Sequence, residues 1–557
     1  MAVGHTDYEI QVLRDERWVT TAIVGKEDDA RGSAKKLFAD KTCPGVRVIS
    51  NWHRSDGGIV EKEIYAERRT IKDDAPPRVA AIDDAPPACA TIADYYGAQS
   101  RSSVNRLLRS YLEKAVITPT ELMHSHRELK RLQGADALFP SAVDRIATLQ
   151  AKAADADARA RRDEIFKHVD TMAARARKAD TADLPRLGDG GFGTVVRKVG
   201  AGEDGDFLSL VVLARELLQA RNWLAKLERL TKLALADDDR HAIALLDGVI
   251  ADVLGANVIQ ELLGWQPGLA AAICHLFDLA EGRMAVDASE AADIAAALNR
   301  LFADGRLPES RACLLDRAHR HIKAANPLYR NEPNKETAAF RQLLDRAALP
   351  DGFICGPATA EALTLRYARM IEEGGATGRG KAIATLFRMM PDRAYGLIYL
   401  GDLAKAALGR EHGADIAKQA ETVLDARSLH DLVDRRLPPK DKMRRATIAH
   451  GAVAPDGSRI ADHIDTLLER YLIEEKIVEK LDDRTSSLRD RAIRLVNFCA
   501  AAVLPEGKAL ARARERAKEL LRQPNFESHF LEGISDGIVA QKALRDFHTL
   551  LGKAGFR

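Results

Sequence analysis

The sequence predicts a mainly α protein: a multi-helix array preceded by a small N-terminal α/β module of ββαββ order. Three observations predict it. Aromatics make up only 5% of the chain and apolar positions are filled chiefly by Ala, Leu, Ile and Val, a palette that favours helix packing. From Phe207 to the end, apolar residues recur at helical spacing in pieces of roughly ten to twenty residues. Strand-period alternation, by contrast, is confined to the N-terminal stretch.

That stretch, residues 1–69, is the module. Tyr8, Ile10 and Val12 alternate with polar neighbours, and the run Trp18–Val24 returns after a polar turn. Glu27–Phe38 turns helical, with Ala30, Ala34, Leu37 and Phe38 on one face. Val46–Trp52 resumes the sheet, Ser55-Asp-Gly-Gly58 supplies turn chemistry, and Ile59–Ala66 closes it. One helix covers one face of such a sheet, so the other face is left to solvent or to a partner.

Residues 70–98 read as a Pro-rich linker. The pentapeptide Asp-Asp-Ala-Pro-Pro occurs at 73–77 and again at 83–87. Paired prolines lack amide donors and favour extended geometry, which predicts a semi-rigid spacer rather than a core element. Residues 99–183 then read as a long helical hairpin or arm. Thr118-Pro-Thr-Glu121 has the form of a capping box with Pro at the first helical position, and Ser141–Lys178 contains neither Gly nor Pro. A Gly-rich connector is expected over 184–206, a helical domain over 207–420, and a C-terminal helical domain over 421–557. Leu307-Pro-Glu-Ser-Arg-Ala312 is answered by Leu504-Pro-Glu-Gly-Lys-Ala509, and F-x-x-L-L-x-x-A follows at both Phe340–Ala347 and Phe547–Ala554. Stacked helical hairpins would give this pattern, and so would chance likeness between Ala- and Arg-rich helices.

Charge and composition narrow the function classes. The 84 basic and 82 acidic residues leave +2, so no whole-chain attraction to nucleic acid or an anionic surface is implied. Nucleic acid is not the expected partner. The N-terminus lacks a secretory pattern, and the apolar runs near Leu269–Phe277 and Leu495–Leu504 fall well short of the ~20 residues that span a bilayer. A cytoplasmic chain without membrane insertion is expected. The six cysteines are scattered without a C-x-x-C pair, as free thiols would be.

Two glycine-rich motifs invite a nucleotide reading. Gly188-Asp-Gly-Gly-Phe-Gly-Thr-Val195 fits the glycine pattern of a kinase phosphate loop, but no lysine strand, catalytic loop or D-F-G follows. Gly375-Ala-Thr-Gly-Arg-Gly-Lys-Ala382 falls one residue short of the Walker A pattern, because Ala382 has no hydroxyl for Mg²⁺. Gly375, Gly380 and Lys381 are the candidate cofactor-binding residues, and the amides near Lys381 are the groups that would hold an anion. Leu397–Asp402 imitates the acidic strand of such a site, although it follows too soon. A glycine-rich turn between helices is the plainer reading. His124/His126 and His319/His321 are spaced two apart, which on a helix points their rings about 200° apart, so no metal site and no catalytic residue is assigned.

The expected function is therefore a non-enzymatic helical scaffold or adaptor with a protein partner and no cofactor. Two alternatives are a nucleotide-responsive protein using the degenerate loop and a regulator sensing a small molecule through the N-terminal module.

Overall fold

A computed structural model describes residues 5–14, 17–39, 43, 45–53, 59–68, 77–82, 85–135, 137–188, 190–286, 291–329, 332–371, 375–453 and 458–556. Among these residues it is 69% helical, with thirty α-helices and one four-stranded antiparallel sheet at the N-terminus, so the expected class stands. By contacts the chain divides into two compact units, Met1–Lys226 with Ala256–Trp265, and Leu227–Gly255 with Gln266–Arg557.

The N-terminal module consists of β1 (His5–Arg14), β2 (Arg17–Val24), α1 (Glu27–Ala39), β3 (Gly45–His53) and β4 (Ile59–Arg68). The sheet order is β2-β1-β3-β4, all antiparallel. Period-two alternation sends Ile10, Val12, Val46 and Val48 to one face, where they meet Ala30 and Ala34 of α1. Alanine on the inner face of α1 lets the helix lie close to the sheet. β1 starts at His5, earlier than the alternation from Tyr8 suggests. The turn expected at Ser55–Gly58 lies outside the described residues.

Beyond the module, the first unit is helical. The capping box forms as expected: Glu121 N–H donates to Thr118 Oγ1 (3.0 Å) and Thr118 N–H donates to Glu121 Oε2 (2.7 Å). The glycine-free segment is not one helix. It breaks at Asp155, which adopts a left-handed conformation, into a hairpin of Leu138–Ala154 and Ala158–Asp180. Asp157 restarts the chain by accepting the amides of Arg159 and Ala160. The expected glycine-rich connector also contains a helix, Gly191–Val199, with Phe192, Val195 and Val196 buried. Their i, i+3, i+4 spacing is a helical stripe that outweighs the glycines. Nor does the Pro-rich stretch stand off from the core: Ile82 is buried among the helices, and Ala80 N–H donates to Leu107 O at 2.9 Å.

The second unit ties its helices together at their ends. Pro308–Lys323 begins after Leu307, whose side chain offers no cap. Asp247, from the helix Arg240–Leu254, supplies one instead, accepting Glu309 N–H (2.7 Å) and Ser310 N–H (2.8 Å). Lys508–Leu521 begins after Gly507 and is capped likewise by Asp465, from Ser458–Glu474, through Lys508 N–H (2.6 Å) and Ala509 N–H (3.1 Å). A Cβ on Gly507 would collide with the Asp465 carboxylate. Helix C-termini are met by arginines: Arg317 donates to Leu254 O and Gly255 O, Arg366 to Ala324 O and Asn326 O, and Arg489 to Phe530 O and Glu532 O.

Asp247→Ala should strand two amides at a buried helix start and lower stability by about 2 kcal/mol. Chemical denaturation checks this through a lower midpoint at an unchanged denaturant slope, with Asp465→Ala giving a loss of similar size.

Candidate functional site

The helices of the first unit line a partly open, mainly apolar pocket of about 140 Å³. Val104 and Leu107 reach it from the helix Ala98–Leu107, and Leu122 and Met123 from Pro119–His124. Phe139, Ala142 and Val143 line it from one arm of the hairpin, Ile165 and Met172 from the other. These are core positions of amphipathic helices whose side chains do not meet in the middle. The fourth wall is the extended segment around Pro86 and Pro87.

Prolines carry carbonyls but no N–H, so this strap needs donors from elsewhere. Gln150 Nε2 donates to Pro86 O (3.1 Å) and Pro87 O (3.0 Å). Arg161 Nε donates to Gln150 Oε1 (2.8 Å), fixing the amide, while its Nη2 donates to Cys89 O (3.1 Å). Arg145 holds the preceding stretch through Ile82 O at 2.8 Å. Three long polar side chains on the hairpin thus hold the strap against an apolar cavity.

Close by lies a buried polar cluster. Glu121 and Lys226 form an ion pair with both side chains 0% exposed. Burial pushes the Glu121 carboxyl up and the Lys226 ammonium down, each partly offset by its partner and, for Glu121, by the capping box. His124, at the end of Pro119–His124, is fully buried between Tyr96 and Phe207 with ring centroids at 5.0 and 4.9 Å. Its Nδ1–H donates to Thr120 O at 2.7 Å. Burial holds its pKa down at about 4, and the neighbouring Arg101 and Arg175 add to the depression against the opposing Thr120 bond. This is a neutral core histidine. His126 lies on the next helix, beyond the break at Ser125, so the two rings do not share one helix as their spacing suggested.

The glycine motifs are placed differently from the sequence expectation. Gly191 and Gly193 belong to the helix Gly191–Val199, and among the described residues no strand leads into it to deliver a phosphate loop. Gly375, with φ +80°, opens the helix Gly375–Met389, and Gly380 and Lys381 sit inside it, where their amides join the helical ladder. A Cβ on Gly380 would lie 2.9 Å from the Asp415 carboxylate, so an anion would meet a negative charge on that face. Leu397–Asp402 is helical too, part of Arg393–Lys405, and Gly401 lets that helix approach Ala452 closely.

Thiol chemistry is also disfavoured by the surroundings. Burial raises Cys274, Cys313 and Cys499 to about 11 and pushes Cys89 and Cys355 upward, away from the reactive thiolate.

Fold and site together define a mainly α protein with a small N-terminal sheet module and an apolar pocket in its first helical unit. Compared with family models, curated proteins and solved structures, the chain matches none. The pocket had no signal in the sequence, because its lining is spread over six helices and a strap that are far apart along the chain.

Lys226→Met should leave Glu121 buried without its partner and cost about 3–5 kcal/mol, whereas Glu121→Gln with Lys226→Met should recover most of that loss. A double-mutant cycle from unfolding midpoints checks this. His124 predicts a pH dependence as well. Between pH 6.5 and about 4 the unfolded chain takes up a proton that the folded chain refuses. Stability present above pH 6.5 is therefore lost as pH falls through that window, by at most about 3 kcal/mol. The pH profile of His124→Gln should be flatter there by about one proton.

Proposed function

We propose that the chain is a non-enzymatic helical scaffold or adaptor, acting in the cytoplasm, whose first unit receives an apolar anchor side chain of a protein partner. The observation that carries this reading is the pocket. At about 140 Å³ it falls in the size class of an apolar cavity that takes up benzene, so one Phe- or Leu-sized group fits. Its lining is chiefly aliphatic and aromatic, with Gln99, Ser100 and Ser103 on one side, and the lining residues Gln150 and Arg161 are already bonded to the strap and to each other.

Other features support the reading. No helix among the described residues is long and apolar enough to cross a membrane. Trp52 and Val60, opposite one another on β3 and β4, are 47% and 39% exposed and give the N-terminal module a separate apolar contact point. In the second unit, both Leu-Pro-Glu corners lead into helices whose first amides are captured by an aspartate of an earlier helix, as stacked hairpins would have it. The balanced charge favours a protein partner over nucleic acid. The acidic face at Gly380 gives the nucleotide alternative no support.

Ala142→Phe fills the pocket from the hairpin side, and Ala142→Leu fills it more gently if the larger ring strains the core. In a native pull-down with the full chain, the unmodified protein should retain a stoichiometric protein partner. The filled variants, with unchanged circular dichroism, should lose it at least tenfold. Equal recovery by all three proteins, or no stoichiometric partner for any, would sink the reading.

A further inference from the structure

We propose that the open face of the N-terminal sheet carries a binding site for a divalent transition-metal ion, formed by His5, Asp7 and His53. β1 and β3 pair antiparallel with His5 opposite His53 and Asp7 opposite Asn51. Residues two apart on a strand share a face, so His5 and Asp7 stand side by side with His53 across from them. Ile10 and Val12 occupy the face covered by α1, which places these odd-numbered positions on the uncovered one.

The side chains converge as that register dictates. The two imidazoles stack at 4.3 Å between centroids with planes 4° apart. His53 Nε2 lies 2.7 Å from Asp7 Oδ2. One ligand atom from each of the three residues falls within 4.8 Å of the others, and rotating the stacked rings out of parallel would draw the three around a single ion at ~2.1 Å. Asn51 Nδ2 donates to Asp7 Oδ1 at 3.1 Å and leaves the other carboxylate oxygen against His53, the part a supporting residue plays around a metal. The remaining amide oxygen of Asn51 is buried and has no hydrogen-bond donor among the described residues, which marks this spot as polar and incompletely satisfied.

Ligand chemistry selects the ion. Two imidazoles and one carboxylate suit Zn²⁺, Co²⁺, Ni²⁺ or Fe²⁺, whereas Ca²⁺ and Mg²⁺ call for oxygen ligands throughout. Asp7 and His53 are half-buried and His5 is exposed, so water has access to complete the coordination sphere. The site uses neither the helical pocket nor the partner proposed for it, and the two readings stand or fall separately.

The test uses the untagged full-length chain, stripped with a chelator and titrated with Co²⁺ and then Zn²⁺. The unmodified protein should take up one equivalent of Co²⁺ with a visible d–d band, which Zn²⁺ displaces. Asp7→Asn should weaken Zn²⁺ binding by about tenfold to a hundredfold, and His5→Gln combined with His53→Gln should remove that equivalent, with circular dichroism unchanged. Should a substitution disturb the sheet, Zn²⁺-induced shifts of the His5 and His53 imidazole resonances in the unmodified protein read the site directly. Absence of saturable uptake at millimolar Zn²⁺, equal uptake by the double variant, or unmoved resonances would each overturn the proposal.

Discussion

Side chains from neighbouring helices satisfying the ends of short helices are the constraint on which the second unit depends. A helix leaves its first amides and last carbonyls unpaired, and a chain built of many short helices multiplies those groups. Local caps cannot serve everywhere here: Leu307 and Gly507 offer no side-chain acceptor. Asp247 and Asp465 therefore cap across space, while Arg317, Arg366, Arg489 and Arg514 reach the carbonyls at the other ends. Each such bond fixes where one helix begins relative to another's side. Apolar packing alone would let the helices slide; these polar contacts set their register. They also give the abundant arginines of a nearly neutral protein a structural use that composition alone does not suggest.

In the first unit the same logic takes a different form. Glu121 closes its own capping box with one oxygen and pairs with the buried Lys226 through the other. A local helix signal thereby becomes a long-range tether. Gln150 and Arg161 extend the principle to a segment with no helix at all, Gln150 donating to the carbonyls of Pro86 and Pro87 and Arg161 to that of Cys89. The strap then completes a cavity whose lining residues come from surrounding helices.

Much of the fold was legible in the sequence. Alternation at Ile10, Val12, Val46 and Val48 gave the sheet, and Thr118-Pro-Thr-Glu121 marked a helix start, because both are local rules of backbone geometry. Glycine misled. The glycines of 184–206 suggest a connector, although Phe192, Val195 and Val196 carry a helical stripe, and Gly380 is a point of close approach to Asp415. The pocket and the His5–Asp7–His53 cluster were not legible. Both depend on which residues lie opposite one another in space, and the two histidines become neighbours only once β1 and β3 are in register. Residues two apart share a face on a strand but not on a helix, so strand period rather than helix period brings these ligands together.

The sheet's two outer pairings are both irregular, with register shifts at Ile10/Gln11 and at Val48/Ile49. Bulges twist an outer strand away from a straight template, and β4 adds Glu61, Lys62, Glu63 and Glu67 along its length. Such rims resist annexation by a foreign strand, guarding the module against fibril-like stacking. What the module can offer another molecule is then its broad side, where side chains rather than backbone do the recognising.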